Sequence, residues 1–289
     1  MLSKTRKILK KHGIKLDKRK GQNYLINRDV LSSILSSAAI SKGDNVLEIG
    51  AGIGTLTIPL AEKAGHVFAV EQDAKIAKVL EERLEDLKIS NVDVLIEDAT
   101  KMEFPEFNKV VSNLPYMISS PMTFKLLEHD FDFGVLMYQK EFADRMVAEP
   151  GSKNYSRLSV MMHLCANVEF LFNVPPDSFF PQPKVYSAVI KLTPKDVSVD
   201  PFFMKTSRAL FQHKRKTVKN ALVDSFHEVA NMDKKSAKEV VSNLKPDLMV
   251  RRVVTLKPEE VMVVSNDLKS VLKKFNERSM RQINEEKES

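Results

Sequence analysis

The sequence predicts an α/β fold, a doubly wound sheet of parallel strands followed by a smaller all-helical domain. Three observations carry this. Strand-length apolar runs alternate with amphipathic helical stretches between residues 45 and 139. A glycine-rich turn, Gly50 to Gly54, follows the first run, and beyond residue 195 apolar residues recur only at helical spacing.

Residues 1–20 form a basic arm with nine Lys or Arg against one acid, Asp17. Residues 28–40 read as a helix capped by Asn27 or Asp29. The first strand, 45–50, passes through the glycines into a helix at 55–65; Pro59 is tolerated near its start and Gly65 closes its end. Strand 66–73, helix 74–88 and strand 92–99 repeat the pattern, and strands at 108–116 and 131–139 extend it. Residues 167–174 and 185–192 read as the remaining strands. Such alternation implies right-handed crossovers, with the ligand at the carboxyl ends of the strands. The polar stretch TPKDVSVDP, residues 193–201, breaks the periodicity. The expected division is therefore a basic arm at 1–20, an α/β domain at 21–195 and a helical domain at 196–289. Within the last, residues 202–212, 216–229, 234–244 and 258–275 each show 3.6-residue periodicity.

The chain has 289 residues, 43% hydrophobic and 29% charged, a composition of soluble globular proteins. No apolar run approaches the ~18 residues of a membrane span, and the charged N-terminus lacks the apolar core of a secretory signal. A cytoplasmic protein with no membrane partner is expected. The net charge is +7. It concentrates in the arm and in a second cluster, Lys205, Arg208, Lys214, Arg215, Lys216 and Lys219, which favours a polyanionic partner such as nucleic acid over two merely solvated faces. Cys165 lies in an apolar stretch and reads as a small buried hydrophobe. The histidines are scattered, and neither C-x-x-C nor H-E-x-x-H occurs, so no metal site is expected. G-x-S-x-G is also absent, which disfavours a Ser-His-Asp hydrolase.

Gly50, Gly52 and Gly54 let backbone amides and a helix N-terminus approach an anionic ligand group. The loop departs from the dinucleotide fingerprint, with Thr55 where a glycine is wanted, and no G-K-[ST] of a P-loop follows. It reads E-I-G-x-G-x-G with Glu48 ahead of the first glycine, and so resembles the Rossmann-like S-adenosylmethionine-dependent methyltransferases. Glu71 ends the second strand, where a carboxylate can accept from two ribose hydroxyls. Asp98, beside Ala99, ends the third and can accept from an adenine amino group. An ordinary tight turn with solvated strand ends is the bland alternative.

Asn113-Leu114-Pro115-Tyr116 ends the fourth strand and resembles the N-[LI]-P-Y element of methyltransferases acting on exocyclic amines of nucleobases. Such an amine is a poor nucleophile because its lone pair is delocalised into the ring. If the Asn113 side-chain carbonyl and the Leu114 main-chain carbonyl accept its two protons, the lone pair can turn toward a methyl donor. Pro115 fixes the turn, and Tyr116 offers a face to an extruded base.

Four further stretches resemble the small-subunit ribosomal RNA adenine dimethyltransferases. KGQNYLIN (20–27) is similar to an N-terminal element that closes over the cofactor, which implies binding roles for Gln22, Asn23 and Leu25. EIGAGIGTLT is similar to the cofactor loop, with Ala51 where many members have proline. FFPQPKVYSAV (179–189) is similar to the segment whose phenylalanine is thought to sandwich the target base against the motif tyrosine. Register favours Phe179 for that ring, with Phe180 left open. FQHKRKTVKNAL (211–222) is similar to a basic segment opening the helical domain, which implies RNA contacts from Lys214, Arg215, Lys216 and Lys219. Tyr24 replaces a phenylalanine, and Asn27 stands where aspartate is common. The resemblance implies S-adenosylmethionine as cofactor and dimethylation of two adjacent adenosines in a hairpin loop near the 3′ end of small-subunit RNA. The partner is then that RNA or the precursor of the small ribosomal subunit, approached by a monomer. The competing readings are an erythromycin-resistance type enzyme acting on large-subunit RNA, an assembly factor whose methylation is secondary, and a nicotinamide oxidoreductase.

Overall fold

The computed structural model describes residues 1–14, 22–197 and 199–288, with side chains described as far as residue 278. The chain divides into two compact units, residues 1–144 with 166–195 and residues 145–165 with 196–289.

The first unit is built on a seven-stranded sheet, ordered β4-β3-β2-β5-β6-β9-β7. The strands are β2 (Asn45–Ile49), β3 (His66–Val70), β4 (Val92–Leu95), β5 (Lys109–Asn113), β6 (Phe133–Gln139), β7 (Ala166–Val174) and β9 (Ser187–Pro194). A separate two-stranded ribbon pairs β1 (Tyr24–Leu25) with β8 (Phe179–Phe180). Strands β2 to β6 are parallel to one another, and β9 runs antiparallel to both β6 and β7. The chain leaves β2 toward β3 and β4, then returns to β5 on the other flank of β2. That reversal opens a crevice at the carboxyl ends of the strands.

Helices α2 (Arg28–Ala38), α3 (Thr57–Lys63), α4 (Ala74–Asp86) and α5 (Ser119–Leu126) provide the layers against the sheet. The cap of α2 is Asn27, whose Oδ1 accepts from the N–H groups of Asp29 and Val30. Gly65 does not close α3 in a left-handed turn. Its φ is not positive, and a Cβ built there would lie 2.4 Å from the Lys42 carbonyl, so the requirement is room. Residues 2–11, part of the expected basic arm, form α1 (Leu2–Lys11), whose Leu9 is buried against Tyr24, Ile53, Ile76 and Val79. Residues 15–20 of that arm, with Gly21, lie outside the described residues.

The second unit holds α7 (Arg157–Cys165), which follows the short α6 (Lys140–Met146), and then α8 (Pro201–Gln212), α9 (Val218–Asp224), α10 (Lys234–Ser242), α11 (Pro246–Met249) and α12 (Pro258–Glu288). The expected domain boundary at residue 195 places 145–165 in the wrong unit. The Tyr155 hydroxyl donates to the Leu256 carbonyl at 2.7 Å, Gly151 N–H donates to Val254, and α7 packs on α8 and α12. Cys165, the single cysteine of the chain, is buried. No helix of the described residues is long and apolar enough to cross a membrane.

One buried ion pair closes the floor of the sheet, at the amino ends of β2 and β5. Lys109 Nζ lies 3.0 Å from Asp44 Oδ2, with only 10% and 7% of the two side chains exposed. Ser41 N–H and hydroxyl also donate to Asp44 Oδ2, and Asn108 donates to Oδ1. Burial works to raise the Asp44 pKa, but the hydrogen bonds from Asn108, Ser41 and Lys109 outweigh it and hold the group at about 2. Its folded value is depressed from 3.8, so the stability it contributes is present above that value and lost as pH falls toward 2. Lys109→Met strands the carboxylate in the interior. It is expected to cost about 3 kcal/mol in urea unfolding at neutral pH, with the deficit shrinking as pH falls below 4 and Asp44 is protonated.

Candidate active site

A cleft of about 560 Å³ occupies the crevice at the carboxyl ends of β2, β3, β4 and β5. The loop after β2 forms its base. Gly50, Gly52 and Gly54 have φ of 76°, 58° and 80°, a region costly for residues with a Cβ. At Gly50 a Cβ would also lie 3.1 Å from the Pro115 ring, and at Gly52 it would lie 2.9 Å from the Tyr24 ring.

Four of the loop amides expected to face an anionic group are engaged within the fold. Gly50 and Ala51 N–H donate to the Val70 carbonyl at 2.8 and 3.0 Å, Gly52 N–H to Glu71 Oε2 at 2.9 Å, and Gly54 N–H to the Ala51 carbonyl at 3.0 Å. The α3 N-terminus adds no side-chain cap, since its cap position is Leu56. A pyrophosphate would find these four donors spent, which weighs against a dinucleotide.

Glu71 directly follows β3, whereas β4 stops at Leu95 and not at 99, so Asp98 stands on the loop three residues beyond it. Glu71 lines the cleft with Oε2 on Gly52 N–H and Oε1 on Asp73 N–H, both at 2.9 Å. Gln72 N–H adds a third backbone donor, and a carboxylate with about four acceptor positions still has room for a ligand hydroxyl. Burial raises the Glu71 pKa, opposed by these backbone bonds. Asp98 and Ala99 line the far end. Asp98 Oδ1 accepts from the Thr100 hydroxyl and N–H, which, with Lys101 3.6 Å from Oδ2, hold its pKa low. Glu48 is 2% exposed, and its Oε2 is buried without a hydrogen-bond partner. Burial pushes the Glu48 carboxyl up to about 8, with the nearby Thr57 hydroxyl working against this and the Glu71 charge adding to it.

This donor set fits S-adenosylmethionine. Glu71 and Asp98 supply acceptors for hydroxyl and amino groups, the orphaned Glu48 oxygen suits a cation, and the loop presents no phosphate cradle.

At the end of β5 the Asn113 Nδ2 lies 3.2 Å from the Asn23 carbonyl. A main-chain carbonyl can only accept, so the atom facing it is the amide nitrogen, and Oδ1 remains to accept from a ligand. Leu114, Pro115 and Tyr116 continue the lining, and Ile118 N–H closes the turn on the Pro115 carbonyl. The Tyr116 hydroxyl lies 2.5 Å from that of Ser187, which fixes the ring; burial raises its pKa, against the pull of Ser187. Gln22, Asn23 and Leu25 complete the lining beside Asn113.

Two expected residues do not line the cleft. Gly54 lies behind it, where a Cβ would meet Leu80 at 2.5 Å. Phe179, chosen as the stacking ring, is 2% exposed and packs in the core with Leu25, Ile34 and Val189. The reason is strand alternation, because β8 sends Phe179 inward and Phe180 to the other side, beside Tyr24, with Arg6 4.9 Å above its ring. Sequence reading also missed lining residues. Tyr24 is 7% exposed with an unpartnered hydroxyl, Ile76 sits at an apolar helical position, and Asp73 caps α4. The Asp73-Ala74-Lys75 start of a helix was the available signal for the last. Met117, 74% exposed at the lip, had none.

Of the four basic residues expected to meet RNA, Lys214 is engaged internally, donating to the carbonyls of Lys153 and Tyr155 at 3.0 and 2.7 Å. Burial and the charges of Arg145 and Arg215 lower its pKa. Lys216 pairs with Asp224 at 2.7 Å. Arg215 and Lys219 are exposed.

Residues 13–257 match the family model described as ribosomal RNA adenine dimethylase. A protein of Methanothermobacter thermautotrophicus named "Probable ribosomal RNA small subunit methyltransferase A" is 49% identical over 271 residues, spanning 94% of this chain and 97% of its own. The crystal structure of a dimethyladenosine transferase from Plasmodium falciparum superposes with a TM-score of 0.70 at 33% identity, over 88% of this chain and 98% of that one. The 23S rRNA methyltransferase ErmE gives 0.63 at 25% identity, over 86% and 100%.

Glu48 generates a pH test. Its folded pKa of about 8 lies above the ordinary glutamate value of 4.5, so the stability carried by its proton is complete below 4.5 and lost as pH rises through 8. Glu48→Gln is expected to raise the thermal midpoint of ligand-free protein near pH 9 and leave it unchanged near pH 4. In calorimetric titration the same variant should bind S-adenosylmethionine more weakly and lose the tightening that wild type shows up to pH 8.

Proposed function

Given that the chain belongs to the ribosomal RNA adenine dimethylase family, we propose that it transfers methyl groups from S-adenosylmethionine to the exocyclic amines of two adjacent adenosines in the 3′-terminal hairpin loop of small-subunit ribosomal RNA. It acts as a cytoplasmic monomer during biogenesis of the small subunit. One observation carries the reading. The Asn113 amide is oriented by the Asn23 carbonyl so that its oxygen is the free acceptor at the end of β5.

When bound, S-adenosylmethionine supplies a methyl carbon on a positively charged sulfur. Glu71 and Asp98 would hold its adenosyl part and Glu48 a cationic group, while Gly50 and Gly52 let the loop pass beneath. Asn113 Oδ1 and the Leu114 carbonyl would accept hydrogen bonds from the N–H groups of the target amine and turn its lone pair out of the ring, and the nitrogen, cationic once alkylated, would lose one proton to water. Tyr116, anchored through Ser187, presents a fixed face to the extruded base. Loop adenosines suit such a site because they unstack at lower cost than paired ones.

Small-subunit RNA is favoured over large-subunit RNA by the degree of likeness, 49% to the archaeal relative against 25% to ErmE. The decisive experiment is tritiated-methyl transfer to small subunits lacking the modification, with mapping of the labelled nucleotides. Label on two adjacent adenosines is expected, and transfer to large-subunit RNA alone would refute the assignment. Asn113→Ala should lower turnover on the order of 100-fold or more and leave subunit binding near wild type. Equal loss of both would count against the acceptor role.

A further inference from the structure

Helix α1 lies on the cleft wall. Its Leu9 is buried against Tyr24, Ile53, Ile76 and Val79, and two of these, Tyr24 and Ile76, also line the cleft. On its outer side Lys4, Arg6, Lys7, Lys10 and Lys11 are exposed, the helix contains no acid, and among the described residues none of the five is ion-paired. Arg6 lies over the Phe180 ring, and the four lysines span about 10 Å along the axis.

Folding does not account for this arrangement. Lys10 and Lys11, in the last turn, suit the helix dipole, but Lys4 stands in the first turn, where positive charge is unfavourable. Lys4 and Lys7, and Lys7 with Lys10 and Lys11, are like-charged neighbours at three- and four-residue spacing. No side chain caps the amino end. The helix is held by its buried side while its charges oppose it, a balance that an external polyanion would reverse. A lipid surface does not fit, because the apolar side that would enter it, Leu9 and the buried Thr5, already faces the fold.

We propose that α1 is a docking surface for RNA phosphates beside the catalytic cleft. This rests on the function proposed above and adds where the substrate backbone is gripped. Phosphates flanking the target adenosines run over Lys4, Lys7, Lys10 and Lys11, so the strand is held against the same wall that shapes the cofactor site.

The test uses the full chain with K4Q, K7Q, K10Q and K11Q combined, binding to purified small subunits that lack the modification, across a salt series. The expected result is a plot of log K against log salt flattened by about 3, and affinity lowered about tenfold or more at moderate salt. S-adenosylmethionine affinity by calorimetry should match wild type, which shows the cleft intact. An unchanged salt slope overturns the proposal and makes α1 a solvated face. So does unchanged RNA binding with lost retention on phosphatidylserine vesicles, which would make it a membrane contact. Wild-type protein that transfers no methyl group to RNA removes the function itself, and the proposal falls with it; transfer by wild type with an unchanged slope refutes the α1 assignment alone.

Discussion

Everything at the cleft depends on one close approach, that of the Pro115 ring to Gly50. The ring carbons stand 3.1 Å from where a side chain on Gly50 would begin. Any larger residue would push apart the loop after β2 and the turn after β5, two segments whose strands are adjacent in the sheet. The buried Ser112 hydroxyl tightens the same seam, donating to the Ile49 carbonyl at 2.6 Å. In the proposed reaction the methyl donor and the target amine can meet only if these segments share a wall. The bare glycine face and the locked proline turn provide it.

Strand β2 has a carboxylate near each end, and their fates show how environment divides one chemistry into two. Asp44, just before the strand, has several donors and stays ionised to about pH 2. Glu48, near its carboxyl end, has an oxygen with none and holds its proton to about pH 8. Depth and partner count together separate them: Glu48 lies deep in the interior with few donors, whereas Asp44 lies at the start of the strand, nearer the surface, with several. The satisfied pair anchors the fold, and the unsatisfied group is left for a ligand.

Much of this was legible in the sequence. Alternating periodicity located the strands of the sheet, and acids at strand ends marked Glu71 and Asp98, because a parallel sheet aligns those ends physically. What was not legible depended on contacts between distant segments. The β1–β8 ribbon has only two residues per strand, too few for a period, and its alternation decided that Phe179 faces the core. The role of Lys214 was hidden for a similar reason: a basic run looks alike in sequence whether its lysines meet solvent or, as here, main-chain carbonyls 59 and 61 residues away. The turn around Tyr155 that receives it explains why residues 145–165 belong with the helical unit.

The glycine loop keeps its shape by its own hydrogen bonds, with Val70, Glu71 and Ala51 as acceptors. A loop ordered only by its ligand would collapse whenever the ligand left and would have to be re-formed for each new molecule, at an entropic cost. This one is preorganised. An enzyme that deposits several methyl groups at neighbouring positions must discharge spent cofactor and reload between transfers. A seat tied by its own hydrogen bonds lets that replacement proceed without rebuilding the site.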